Sequence, residues 1–217
     1  MGSADASPVL RELVSRFADD PARVDAWTDS ELYAEIALAA SVVAGGSPPG
    51  TWSDAAAARI GERMGAGWFA DVSLTSPQLH HGPLPVVRVT NGEPRSVVGQ
   101  KPQGALWTSS RLPDGSTGWS LFDHDREPVE VVFDPEEVRV HHLDDVGDYT
   151  RLVARYPRTA AGTAHVDWEA AAAELDAVHL TARGLLRIEG LVVDTPAGPA
   201  CLTGWNAECT AWLRAPG

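Results

Sequence analysis

Lys101-Pro-Gln-Gly-Ala-Leu-Trp107-Thr-Ser-Ser110 combines a cation, a breaker pair, an aromatic ring and three consecutive hydroxyls. Pro102 and Gly104 mark a turn. Ala105 to Thr108 is a short apolar run of β character, so the hydroxyls fall at a strand or at its mouth. A second stretch, Gly204-Trp-Asn206-Ala-Glu208-Cys-Thr-Ala-Trp-Leu213, sets one carboxylate between two tryptophans near the end of the chain. The two stretches are expected to face a single site.

Outward from this pair the pattern divides. Residues 1–66 read as a helical N-terminal extension. Ser7-Pro8 supplies an N-cap and a proline at the first helical position, and Leu10, Leu13, Val14 and Phe17 follow at helical spacing. Thr28-Asp-Ser-Glu31 has the form of a capping box, and Leu32, Ile36, Ala39 and Val43 make one apolar face before Gly45-Gly46. Ser47-Pro-Pro-Gly50 reads as a linker, and a third helix is expected from Ser53 to about Met64. Over 67–217, short β-like runs are separated by Gly, Pro, Asn and Asp. Strands are expected at 85–90, 104–108, 118–122, 129–133, 138–142, 177–181, 185–193 and 209–213. Helices are expected at 145–156 and 167–175. Many strands with few helices among them indicate an α+β domain instead of a doubly wound parallel sheet.

Seventeen Lys and Arg stand against thirty Asp and Glu, a net charge of −13. That balance argues against a broad phosphate-binding face, so nucleic acid is disfavoured as a partner. The excess acid serves solubility and would also suit a basic protein partner; the stretch 123–148, with Asp134, Glu136, Glu137, Asp144 and Asp145, is the most acidic. Its acids lack the spacing of a calcium loop and no zinc-type Cys/His spacing occurs, so no metal is expected. Gly99 to Gly104 has the glycine spacing of a phosphate-binding loop, but Ala105-Leu106 stands where Lys and Ser or Thr belong. Neither a dinucleotide glycine fingerprint nor a nucleophile elbow is present. Without a signal region at its start or an apolar run of about 18 residues, the chain is expected to be cytoplasmic, with no membrane association. In that compartment Cys201 and Cys209 are expected as reduced thiols.

Three features then remain in order along the chain: Arg88 within the apolar run Pro85 to Thr90, Thr108-Ser109-Ser110 behind Trp107, and Glu208 after Trp205-Asn206. An arginine in an apolar strand requires an anionic or carbonyl partner, which a bound diphosphate would supply. Trp107 suits stacking on a flat heterocycle, and an ionised Glu208 suits stabilising positive charge as a glycosidic bond breaks. The structural alternatives are a surface ion pair for Arg88 and core positions for Trp107, Trp119, Trp205 and Trp212.

These residues resemble the ADP-ribosyltransferase superfamily, whose split antiparallel β-sheet core carries an Arg or His, then a Ser-Thr-Ser-like strand, then a late catalytic Glu. The resemblance covers roughly residues 79–213. It implies NAD as substrate and transfer of ADP-ribose to an acceptor of unknown identity. It also implies that Arg88 contacts the phosphate or ribose, that Thr108, Ser109 and Ser110 support the nicotinamide-ribose pocket, and that Glu208 is catalytic. His81 before Gly82 could supply the first motif instead, as in the branch that uses His. The position two before the catalytic Glu helps select the acceptor and is often Glu or Gln in the family. Asn206 stands there in this chain, so the acceptor stays open, with plain NAD hydrolysis included.

Overall fold

The computed structural model describes residues 5–46, 50–92, 101–122 and 126–217. Residues 47–49 of the expected linker Ser47 to Gly50, and the first residues of the acidic stretch, 123–125, lie outside them. The described residues form an α+β fold whose sheets are largely antiparallel.

The N-terminal helices are α1 (Pro8–Arg16), α2 (Arg23–Ala26), α3 (Asp29–Ala44) and α4 (Asp54–Met64), and all but the short α2 start at a side-chain cap. Ser7, Thr28 and Ser53 each accept a backbone N–H from the first turn, and Thr28 with Glu31 completes a reciprocal capping box. The rest of the chain runs β1 (Gln78–His81), β2 (Thr90–Asn91), β3 (Pro102–Gln103), β4 (Leu106–Thr108), β5 (Pro128–Val131), β6 (Val140–Leu143), α5 (Val146–Arg155), β7 (Pro157–Ala160) and β8 (Thr163–Val166). It continues through α6 (Trp168–Glu174), β9 (Ala177–Leu180), α7 (Ala182–Ile188), β10 (Val192–Thr195), β11 (Gly198–Cys201) and β12 (Cys209–Trp212).

A four-stranded sheet of order β4-β12-β9-β6 positions everything that follows. β12 is antiparallel to both β4 and β9, and β9 is parallel to β6. The parallel pair needs a long crossover, here α5, the β7–β8 hairpin and α6. In this register Thr210 lies opposite Thr108 on one side and His179 on the other, and His179 lies opposite His142. Because side chains alternate along a strand, the sheet has two distinct faces. Val178, Leu180, Cys209 and Ala211 face a large apolar core shared with Leu13, Val14, Tyr33 and Ile36 of α1 and α3 and with Leu152, Leu185 and Leu186 of α5 and α7. On the other face Leu106, Ala177 and Trp212 pack against Leu74, Val131 and Phe133, with the Trp212 and Phe133 rings edge to face at 4.6 Å. Above that small apolar patch the same face turns polar.

Several expected elements differ. Residues 185–193 are not one strand: α7 ends at Ile188, and β10 begins at Val192. Thr181 caps α7 by accepting the Gly184 N–H at 2.9 Å, and Leu185, Leu186 and Ile188 are all buried, so the apolar run meets core on more than one side and carries no clean period. Residues 118–122 form turns, with Ser120 N–H donating to the Thr117 carbonyl and Phe122 N–H to that of Trp119. Residues 85–89 lie outside any strand, where the sequence reading placed a continuous one over 85–90; only Thr90 belongs to a pair, with β3. The sequence reading contains neither β1, the β7–β8 hairpin nor β11, and it reaches β10 only at Val192 and Val193, the end of the expected strand 185–193. Their periodicity is short and their pairing, not their composition, makes them strands.

Gly184 shows how tightly α7 seats on the sheet. A β-carbon there would lie 1.9 Å from the Leu143 carbonyl oxygen, at the end of β6. Gly184→Ala is expected to destabilise the fold by about 2–3 kcal/mol, a drop in thermal midpoint of roughly 5–10 °C. Differential scanning calorimetry measures it; an unchanged midpoint would mean that the helix can move away from β6 freely.

Candidate functional site

Glu208 immediately precedes β12, at the end of a turn in which Gly204 (φ 80°) and Asn206 (φ 59°) both take left-handed backbone angles. The β12–β4 register carries Glu208 to the level of Ser110, just beyond the end of β4. Ser110 donates twice to the carboxylate, from Oγ to Oε1 at 2.8 Å and from its backbone N–H to Oε2 at 3.1 Å. Behind Ser110 a directed chain of donors runs back through the protein. Trp212 Nε1–H donates to Thr108 Oγ1 at 2.9 Å, the Thr108 hydroxyl donates to Gln78 Oε1, and Gln78 Nε2–H donates to Ser110 Oγ at 3.4 Å. Each group in the chain gives its hydrogen one step closer to Glu208, an arrangement that favours charge on the carboxylate.

Burial works in the opposite direction. Glu208 is 2 % exposed, and loss of hydration raises its pKa to about 7, with the Ser110 hydrogen bonds pulling it down. His179 Nε2 lies 3.8 Å from Glu208 Oε1, too far for a hydrogen bond, while its Nδ1 is 2.9 Å from Thr210 Oγ1. Burial, aided by the neighbouring His142, pushes His179 down to about 3, so the imidazole is neutral across the physiological range. An ionised Glu208 would therefore keep its charge uncompensated.

Glu208, Ser110 and His179 line a cavity of about 290 Å³ together with Trp68 and Phe69. Exposed Asp71 and Arg111 also line it, Arg111 in an ion pair with Glu130 at 2.5 Å. The N-terminal helices contribute as well: Tyr33 of α3, fully buried, accepts the Glu208 backbone N–H at 2.9 Å.

Of the residues singled out in the sequence, Ser110 and Glu208 meet, and Thr108 stands behind them in the donor chain. Ser109 is buried, exchanges both backbone hydrogen bonds with Leu79, and its hydroxyl has no partner among the described residues. Trp107 belongs to the opposite face of β4, edge to face with Trp205 at 4.9 Å, and lines a different cavity. Asn206 shapes the turn before Glu208 without lining the cavity. Arg88 is exposed and outside the cavity, its backbone N–H bonded to the Gly104 carbonyl. His81 ends β1, with Nε2 3.0 Å from Thr117 Oγ1, and is likewise outside it. Sequence reasoning missed Gln78, His179, Tyr33, Trp68, Phe69 and Arg111. Only Arg111, adjoining the hydroxyl run, carried a signal that could have been read.

The acids of 123–148 are partly committed to the fold. Asp144 makes a two-point contact with Arg183 at 3.0 and 2.6 Å, and Asp145 and Asp148 form the capping box of α5. Asp134, Glu136 and Glu137 remain exposed on a turn. Among the described residues no cluster of three metal-ligating side chains occurs, both cysteines are free and buried, and no helix is long and apolar enough to cross a membrane. Comparison with protein-family models, with curated proteins and with solved structures finds no match.

Two predictions follow from the burial of Glu208. Its folded pKa lies above the ordinary carboxylate value, so its contribution to stability is complete below about pH 4.5 and is lost as pH rises to about 7. Relative to wild type, Glu208→Gln should therefore gain about 3 kcal/mol between those limits in chemical denaturation; a difference that does not vary with pH would mean an ordinary carboxylate. Tyr33→Phe leaves the Glu208 N–H unpaired and is expected to cost about 1–3 kcal/mol by the same measurement.

Proposed function

We propose that the protein is an NAD-consuming enzyme of the ADP-ribosyltransferase type, with Glu208 as its catalytic carboxylate. The observation that carries this reading is a buried acid in an aromatic-walled cavity, held by two donors of Ser110 and beside an imidazole that stays neutral. Such a cavity suits a flat ring with positive charge, which the nicotinamide of NAD is. Trp68 and Phe69 supply aromatic lining for the ring, and the uncompensated carboxylate offers the counter-charge. A bound cation would itself lower the Glu208 pKa and hold the group ionised.

In the reaction, the bond between ribose C1′ and the nicotinamide nitrogen breaks, and the bonding pair leaves with the ring, which becomes neutral. Positive charge then develops on the ribose, where Glu208 stabilises it. An acceptor nucleophile attacks C1′ and loses a proton, which Glu208 is suited to receive. With water as acceptor, the products are ADP-ribose, nicotinamide and a proton. Arg111 lines the cavity and Arg88 does not, so Arg111 is the arginine assigned to the diphosphate, for which it would exchange its partner Glu130.

Proton NMR of NAD incubated with the protein tests this reading. Wild type should release free nicotinamide, Glu208→Gln should lose roughly 100-fold or more, and Ser110→Ala should lose about tenfold or more. Release by Glu208→Gln at the wild-type rate overturns the assignment. Shifted NAD signals without released nicotinamide in the wild type would point to a non-catalytic nucleotide-binding protein.

A further inference from the structure

We propose that a second cavity, on the opposite face of β4 from Ser110, binds a planar aromatic ligand carrying a phosphate, a nucleoside monophosphate being the simplest of that class. Among the described residues, His80, His81, Lys101, Trp107 and Trp119 line it. It shares none of them with the Glu208 cavity. Trp107 and Ser110 are three positions apart, so alternation along the chain directs them to different faces.

The cavity holds a cationic side chain in a protein of net charge −13. Lys101 is the only lysine of the protein. Its ammonium lies 5.2 Å from the centre of the Trp107 ring and, among the described residues, forms no ion pair with a carboxylate. The nearby acid that feels its charge, Glu189, is buried and instead accepts the Gly204 N–H. His80 Nδ1 is 2.7 Å from the Trp107 carbonyl oxygen and its Nε2 is 3.2 Å from that of Pro83.

Charge alone would attract any anion, but Trp107 and Trp119 add ring surfaces to the lining. At about 220 Å³ the cavity is smaller than the roughly 300–1,000 Å³ of drug-sized sites, so it suits one ring system with its charged group near Lys101. Stacking on tryptophan supplies contact area, and a charge-assisted hydrogen bond from the ammonium supplies selection for phosphate. This inference stands apart from the NAD reading: it uses none of the residues of the Glu208 cavity, and its test does not measure nicotinamide.

The single lysine makes the test direct. Reductive dimethylation with ¹³C-formaldehyde labels one side chain besides the amino terminus, and titration with 5′-AMP should shift that Lys101 signal saturably. By calorimetry, 5′-AMP should bind at least tenfold tighter than either adenosine or inorganic phosphate. Lys101→Gln should weaken 5′-AMP about tenfold, Lys101→Arg should retain most of the affinity, and Glu208→Gln should bind as wild type does. An unmoved Lys101 signal overturns the proposal. So does equal affinity for phosphate and 5′-AMP, which means a bare cation, or for adenosine and 5′-AMP, which means no selection of charge. Loss of binding in Glu208→Gln with retention in Lys101→Gln overturns it too, because the ligand then lies in the other cavity.

Discussion

The buried carboxylate of Glu208 sets the terms for the surrounding structure. An acid at 2 % exposure is costly unless donors replace its water, and Ser110 supplies two. Those donors are useful only if Ser110 itself is held in one rotamer, which Gln78 and Thr108 accomplish from β1 and β4, with Trp212 behind them. Three strands must therefore be in register before the acid can be accommodated. Removing any link leaves a buried polar atom without its partner, which costs more than the hydrogen bond itself contributes.

The sheet divides its labour between its faces. One face is given to Val178, Leu180, Cys209 and Ala211, which join the common core with the helices and hold the strands together. The other face carries Thr108, Thr210, His179 and Glu208, which are buried but polar. Along β12 the alternation of Cys209, Thr210, Ala211 and Trp212 accomplishes this within four residues. The small cluster around Phe133 and Trp212 closes one end of the polar face and leaves the cavity at the other.

The turn before Glu208 is held from two sides. Tyr33 reaches in from α3 to accept the Glu208 N–H, and Glu189, just past the end of α7, accepts the Gly204 N–H at 2.5 Å. Glu189 is itself buried, and loss of hydration raises it to about 7. The two left-handed residues, Gly204 and Asn206, make the turn tight enough for both contacts. Helices that show no chemistry of their own thus take part in placing the carboxylate. Tyr33 and Glu208 are 175 positions apart, so only folding brings them together.

The amino-acid sequence by itself determined the helix starts at Ser7, Thr28, Ser53, Asp145 and Asp167, because a cap is a hydrogen bond to a residue three positions away and depends on little else. It also determined the α+β character and the pairing of a hydroxyl strand with a late acid, and alternation alone would have separated Trp107 from Ser110. Strand register was decided by the tertiary structure. Nothing near Gln78 or His179 in the chain marks them as neighbours of Ser110 and Glu208; they arrive through β1 and β9, from pairings between distant segments. The same holds for α7, whose apolar run fits a strand or a helix until Thr181 caps it and Gly184 seats it against β6. Local hydrogen bonds are written in adjacent residues, whereas the site depends on which strands lie side by side and on which face of each is buried.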